Sequence, residues 1–313
     1  MNPSQGEMRG KLNSNSSSTG TMSSNTYTKH ASERSLKPEA MELIRCRHLN
    51  IQTTHVKAIE LVSFNEAKNR LTTKKVIAQD LFHALWDPTH LLGRLQGHRL
   101  QSPDILVRCI SEIGTWLRKY HNSSAGLAPE GANGSWLVTE FDQKIREIRA
   151  SNLIPESKLK RIEQKYIAEL QKLTNPDYLA LNNAFPCQVH GDFVLYSVLV
   201  DSQQNMHILD FRNTRISSNL EDVARFYSSL WAITQTNRTR RNLLGELPAR
   251  FLKAYGLPPL ISESPYFRVN LVYNFLDNLV VAQQSSRQRL TWSSNREMSH
   301  VTNAGMKWVY QQI

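Results

Sequence analysis

Apolar residues change their spacing several times along the chain, and each spacing predicts an element. Leu106, Ile110, Ile113, Leu117 and Tyr120 recur on one face of a helix, with Cys109 and Trp116 beside them. Ser102, Pro103 and Asp104 supply a cap, a first-turn proline and an N-terminal acid, so a helix ending near His121 is expected. Leu159, Ile162, Tyr166, Leu170 and Leu173 mark a second helix with charges on its other face. Leu220, Val223, Tyr227, Leu230 and Trp231 mark a third, with Asn219 as its cap and Glu221 and Asp222 in the first turn, where carboxylates favour the helix dipole. Pro38, Glu39 and Ala40 read as the start of another helix, with Leu43 and Ile44 on one face. Residues 56–62 and 71–77 read as strands joined by a polar turn at 65–69, and the pattern becomes helical after Ile77. Val198, Leu199 and Val200, a polar turn at 201–205, then Ile208 and Leu209 predict a hairpin over 198–210. Residues 122–134 read as a loop, the chain after the third helix as mostly helical, and Trp86, Trp116 and Trp231 as core. No internal repeat is found.

Composition changes this picture at the N-terminus. Seventeen of the first 26 residues are Ser, Asn, Thr or Gly, so residues 1–26 are expected to be a disordered tail. The 313 residues are 40% hydrophobic and 21% charged, as in a soluble globular protein. No run of about 18 apolar residues is present and no apolar segment follows the N-terminal charges, so neither a membrane span nor a secretory signal is expected. Cys46, Cys109 and Cys187 are widely spaced, which excludes a disulfide scaffold and fits a reducing cytoplasm. Ten histidines without paired spacing give no zinc site. The formal charge of +11 favours anionic partners, whether nucleic acid, anionic lipid or a phosphate-bearing ligand. The charges are spread, and the densest run, Arg238, Arg240 and Arg241, reads as a solvent-facing helix surface, so nucleic acid is not the expected partner.

The segment that carries chemistry runs from Cys187 to Arg212. Asp192 follows His190-Gly191 in a loop, the hairpin comes next, and Asp210 ends its return strand 18 positions later. Two carboxylates at one end of a hairpin can divide labour. One orients a hydroxyl and accepts its proton, and the other holds a divalent metal, which is the requirement of phosphoryl transfer. A loop Asp also caps turns, and that reading stands beside the catalytic one. His190 reads as a packing and hydrogen-bonding residue, because Asp192 already fills the role of base.

With these residues the sequence resembles the aminoglycoside phosphotransferase and choline kinase-like family. The resemblance implies an α+β, bilobal protein-kinase-like fold: a reduced β-containing small lobe over residues 27–77 and a mainly helical large lobe over 78–313. It also implies transfer of the ATP γ-phosphate to a hydroxyl of a small molecule, with Mg2+ as cofactor. By the same resemblance Asp192 is the catalytic base, Asp210 a magnesium ligand, and Asp222 a brace of the catalytic loop. The stretch from Thr73 to Leu81, with Val76 in it, resembles the hinge that receives an adenine. Residues 118–123 resemble the end of the helix before the catalytic region. Thr26-Tyr27-Thr28-Lys29 resembles the strand bearing the phosphate-binding lysine, and Glu39 its ion-pair partner. Taken without the resemblance, Lys29 reads as an exposed lysine, Glu39 as a first-turn acid and Arg212 as an exposed arginine.

Two features depart from the family's pattern. Ser197 stands where a second metal ligand, Asn, is usual, and by the resemblance it is expected to be a magnesium ligand, a poorer one for its shorter reach and lack of an amide carbonyl. The glycine-bearing hairpin that covers the phosphates is not found, so the small lobe is shortened or the chain begins partway through it. Both departures support an alternative function, a nucleotide-binding pseudokinase acting as a binding module.

Overall fold

The structure is a computed structural model that describes residues 18–23, 25–32, 34–86, 103–125, 135–172, 175, 177–178, 182–236, 244–287 and 292–312. The first sheet has the order β1-β2-β5-β4 and is antiparallel throughout. Its strands are β1 (Ser18–Met22), β2 (Thr26–Ala31), β4 (Leu61–Asn65) and β5 (Arg70–Lys74). Along β5, Leu71 and Thr73 are buried while Arg70 and Lys74 face out, the period-two pattern of a half-covered sheet. Between β2 and β4 lie helix α1 (Lys37–His48) and strand β3 (Val56–Ala58). Ala40, Leu43 and Cys46 form the buried stripe of α1, whereas Ile44, expected beside Leu43, is exposed.

A second sheet, ordered β3-β9-β8-β6, contains β6 (Ala78–Asp80), β8 (Val198–Asp201) and β9 (Met206–Ile208). The hairpin expected over 198–210 is β8 and β9, with Val198 opposite Ile208 and Val200 opposite Met206. Asp201 closes the turn by accepting from the backbone N–H of Gln203 and Asn205. Strands β7 (Pro186–Val189) and β10 (Arg215–Ser218) form a two-stranded ribbon. The helices are α2 (Leu81–Trp86), α3 (Pro103–Asn122), α4 (Ser135–Ala150), α5 (Glu156–Lys172), α6 (Asn219–Thr236), α7 (Leu247–Tyr255), α8 (Pro265–Arg287) and α9 (Trp292–Gln311). Helix α8 buries residues on every side, among them Phe267, Val269, Asn270 and Leu276, as expected of a helix enclosed by neighbours.

The core lies directly under the Asp192 loop. Trp116 stacks on Tyr120 with centroids 5.2 Å apart and on Phe193 at 6.0 Å, and Phe211 meets it edge-on at 6.4 Å. Phe193 and Phe211 are fully buried next to the two candidate acids, so packing fixes both loops.

Several expectations need correction. Residues 18–22 are a strand rather than part of a disordered tail, and the small sheet therefore starts before residue 27. An edge strand needs backbone pairing more than apolar side chains, and Thr19 and Thr21 suit extended backbone. The stretch 56–62 splits into β3 and β4, and the stretch 71–77 ends at Lys74, with β6 ahead of the next helix. Helix α4 was not expected; Leu137, Phe141, Ile145 and Ile148 are its buried stripe. Asn219 begins α6 but does not cap it: its carboxamide accepts from Phe185 N and donates to the Tyr255 hydroxyl. Ser102, Leu173 and the Arg238–Arg240–Arg241 run lie outside the described residues, as do 126–134 and the part of the low-complexity tract before 18.

Candidate active site

Strand β7 delivers His190, Gly191 and Asp192 to the end of the ribbon. Gly191 has φ +81°, and a Cβ there would stand 2.2 Å from the Asn213 carbonyl oxygen, so the close passage of the two loops requires glycine. Asp222, at the start of α6 and 1% exposed, accepts from His190 N at 2.6 Å and from Gly191 N at 2.9 Å. Its Oδ2 also lies 3.0 Å from His121 Nε2, and His121 Nδ1 meets the Tyr255 hydroxyl at 2.8 Å. This is the brace expected of Asp222. Burial works to raise the Asp222 pKa, but His121, His190 and the backbone donor outweigh it and hold the carboxyl below its ordinary range.

His190 joins the two candidate acids. Its Nε2 lies 2.7 Å from the carbonyl of Leu209, the residue before Asp210, and its Nδ1 accepts from Asp192 N at 3.3 Å. The ring is buried against Phe211 at 4.7 Å, which matches its reading as a packing and hydrogen-bonding residue. Asp210 itself adopts the left-handed region, φ 68° and ψ 48°, a conformation that Asp tolerates better than most residues.

Lys29 on β2, Glu39 on α1 and Asp210 come together. Lys29 Nζ donates to Glu39 Oε2 at 2.9 Å and to Asp210 Oδ1 at 2.8 Å. Lys29 is thus neither exposed nor free, with only 12% of its side chain accessible. Burial disfavours its charge, yet the two carboxylates more than offset that and raise its pKa. Burial also raises Glu39, where it outweighs Lys29, whereas Lys29 and Arg212 outweigh burial at Asp210 and lower it. Arg212, expected to be exposed, is buried, with its guanidinium 3.3 Å from Asp210 Oδ2. The loop leading away is secured by Arg215, which bonds Asn213 O at 3.0 Å and Glu221 Oε2 at 2.7 Å and lies 3.5 Å over the Trp136 ring.

Asp192 is held by a cation of its own. Arg225 on α6 donates to Asp192 Oδ1 through both Nε and a terminal nitrogen, at 2.8 and 2.7 Å. It also reaches Asp277 Oδ2 on α8 at 3.0 Å and Asn274 Oδ1 at 3.3 Å. Asp277 is fixed in turn by Lys144 on α4 at 3.0 Å. Burial opposes the Arg225 charge, but Asp192 and Asp277 outweigh it and raise its pKa further. None of Arg225, Asp277 or Lys144 was singled out from sequence. The available signal was a charge in an otherwise apolar helical stretch: Arg225 between Ala224 and Phe226, and Asp277 after Leu276 and, with Asn278, before Leu279 and Val280.

Among the described residues no side-chain bond brings the remaining expected positions into these clusters. The Ser197 hydroxyl donates to Val194 O at 2.6 Å and accepts from Val194 N at 3.1 Å, closing its own turn. Val76 is half-buried between β5 and β6 with its side chain against the core. Among the described residues no three His, Cys, Asp or Glu side chains converge as a metal cluster. A cavity of about 490 Å³, lined by Tyr227, Trp231, Gln235 and Glu246 among others, involves none of the residues of the two acid clusters.

Solved structures share this fold. A glucosamine kinase in complex with glucosamine, ADP and inorganic phosphate aligns at a TM-score of 0.59 with 14% identity, over 94% of this chain and 79% of that one. A choline/ethanolamine kinase family protein from Mesorhizobium loti aligns at 0.51 with 13% identity, over 92% and 89%. An ethanolamine kinase from Plasmodium vivax aligns at 0.51 with 10% identity, over 92% and 78%. No curated protein sequence matches. At such identities the structures establish the α+β kinase-like fold alone. The sequence pattern of the phosphotransferase enzyme family matches residues 58–260, from β3 through the Asp192 loop and the hairpin to α7, and by that match over more than half its length the chain belongs to the phosphotransferase enzyme family.

Proposed function

We propose that the protein transfers the γ-phosphate of ATP to a hydroxyl of a small molecule. The observation that carries the reading is Lys29, held between Glu39 and Asp210 at 2.9 and 2.8 Å, within a fold whose other members handle phosphoryl groups. A lysine so placed can leave Asp210 for the α/β-phosphates while Glu39 keeps its direction. Asp192 orients the acceptor hydroxyl and takes its proton. The acceptor oxygen bonds to the γ-phosphorus as the bond from that phosphorus to the β,γ-bridging oxygen breaks, and ADP leaves. The backbone around Val76 is the candidate adenine contact.

Magnesium fits this donor set in a limited way. Asp210 offers a hard carboxylate, whereas the Ser197 hydroxyl is bonded within its own turn. Such a set suits an ion that takes most of its ligands from the nucleotide phosphates and solvent, the usual habit of Mg2+. Bound there, it would neutralise charge on the transferring phosphoryl group. The glucosamine kinase, whose structure contains ADP and glucosamine, supports a nucleotide and a small hydroxylated acceptor. Among the described residues no helix is long and apolar enough to cross a membrane. The three buried free cysteines support placing the reaction in the reducing cytoplasm.

The test is product formation from Mg-ATP or Mg-GTP across aminoglycosides, choline-like amines, sugars and amino alcohols. Asp192→Asn is expected to lower its rate about 1000-fold and Asp210→Ala to abolish it, and a transfer activity that both changes leave intact overturns the assignment. One observation favours a second reading, a nucleotide-binding module without turnover: Ser197 is committed to its turn rather than to a ligand site. A magnesium-dependent thermal shift with ATP, but no product with any acceptor, would select it.

A further inference from the structure

We infer that Arg225 is a positioning residue that aims Asp192 at the acceptor, an inference that rests on reading Asp192 as the base. The geometry of the contact is one-sided. Both Arg225 bonds to Asp192 end on Oδ1, at 2.8 and 2.7 Å. Among the described residues no hydrogen bond is given to Asp192 Oδ2, and 19% of the Asp192 side chain is accessible. One oxygen is therefore anchored and the other is presented. A carboxylate fixed in this way cannot rotate about its last torsion without breaking two charge-assisted bonds.

The arginine cannot swing away either. Its terminal nitrogen is shared with Asp277, which Lys144 holds at 3.0 Å from α4, and Lys144 also bonds Glu147 at 2.9 Å. The orientation of Asp192 is thus set by side chains on α6, α8 and α4, rather than by its own loop alone. Asn274 adds a second observation. It is 4% exposed and gives its carbonyl oxygen to Arg225, while its Nδ2 has no partner in the structure. A buried amide donor left without an acceptor is unfavourable. The Arg225 contact therefore outweighs the rotation of the amide that would exchange its oxygen for its nitrogen.

The consequence is a division between fold and function that measurement can separate. Arg225→Gln removes the anchor, and Arg225→Lys retains the charge but can reach only one carboxylate at a time. Hydrogen exchange of the 189–195 segment is expected to accelerate at least tenfold in Arg225→Gln while β2 and α1 keep their protection. Asp277→Asn is expected to show the same change more weakly. Unchanged exchange in both variants overturns the inference whatever the activity, because the anchor would then hold nothing. With the best acceptor from the panel, or water as acceptor in an ATP hydrolysis assay, Arg225→Gln should lower kcat at least 30-fold and leave KM for ATP within twofold, with partial recovery in Arg225→Lys. The decisive comparison is Arg225→Gln in an Asp192→Asn background. Little further loss of kcat supports positioning through Asp192, and an equal loss in both backgrounds shows a merely structural role and overturns it. Should Arg225→Gln fail to fold, Arg225→Lys and Asp277→Asn carry the same comparison. If the wild type neither phosphorylates an acceptor nor hydrolyses ATP, the proposed function fails, whereas the exchange data still decide whether Arg225 anchors Asp192.

Discussion

Asp222→Ala tests the physical basis of the Asp192 loop most directly. The carboxylate is 1% exposed and accepts from His190 N at 2.6 Å and Gly191 N at 2.9 Å, and it faces His121 Nε2 at 3.0 Å. Alanine removes the acceptor for two backbone N–H groups and one imidazole. Each buried donor left unpaired costs about 1–3 kcal/mol, and water entering the space left by the carboxylate offsets part of this, so a loss of about 4 kcal/mol is expected at pH 7. Asp222→Asn keeps one oxygen but turns an NH2 toward a donor, and about half that loss is expected. The pH dependence gives an independent check. Asp222 has a lowered pKa in the folded state because its hydrogen bonds and the histidines outweigh burial. A lowered carboxyl pKa means stability that is present above the unfolded value of about 4 and disappears as pH falls through the folded one. The gap between wild type and Asp222→Ala should therefore be full at pH 7 and pH 5 and shrink below pH 4. Urea unfolding followed by tryptophan fluorescence at these pH values measures it. A gap under about 1 kcal/mol at pH 7, or one of undiminished size at pH 3.5, refutes the reasoning.

Three further outcomes follow from the same contacts. Burial pushes Glu221 up to about 7 even though Arg215 pulls it down, so the fold prefers its neutral form; stability should fall as pH rises from about 4.5 to about 7. Glu221→Gln should flatten that slope, worth roughly 3 kcal/mol at about 1.4 kcal/mol per pH unit, and a slope that persists in urea titrations contradicts it. Lys29→Met leaves the Glu39 and Asp210 carboxylates without their shared cation, so Mg-ATP affinity measured calorimetrically should drop by about 10- to 100-fold, and an unchanged Kd removes Lys29 from the phosphate site. Gly191→Ala places a Cβ 2.2 Å from Asn213 O at a φ of +81°, for which a destabilisation of about 2–3 kcal/mol is expected in thermal unfolding, and a change below about 0.5 kcal/mol shows that the loops can part.

The site was legible in sequence where its logic is local. His190-Gly191-Asp192, the hairpin and Asp210 lie within one short stretch, and the hairpin forms by pairing neighbours, so spacing alone anticipated it. Lys29 and Glu39 were legible only through resemblance, since nothing in their own surroundings distinguishes a buried cation from an exposed one. Arg225 was not legible. Its partners lie 33 and 52 residues away, and the tertiary fold brings them together by packing α8 on α6. Strand β1 was missed for a different reason. Low apolar content argues against burial, but an edge strand is held by backbone hydrogen bonds to β2, which composition does not count. Ser197 was read from its position as a ligand, and the turn that claims its hydroxyl depends on backbone geometry that side-chain identity does not encode.

The charges of the site obey one constraint that sequence order hides. A carboxylate taken out of water costs several kcal/mol unless it is paired, and the two clusters meet this in the same way. Glu39 and Asp210 are matched by Lys29 and Arg212, and Asp192 and Asp277 by Arg225 and Lys144. In each cluster one cation touches both of these acids, and Lys144 reaches Glu147 besides. A shared cation makes the pairs interdependent: removing Lys29 strands Glu39 and leaves Asp210 to Arg212, and removing Arg225 strands Asp192 and leaves Asp277 to Lys144. The two shared cations come from different elements, β2 for Lys29 and α6 for Arg225. His190 ties the loops that carry Asp192 and Asp210, so a shift in either cluster is felt at the other through one buried imidazole. The placement of Asp192 relative to Lys29, on which the proposed transfer depends, is therefore a property of this charge pairing and of the aromatic core beneath it, and the two acidic motifs alone would not secure it.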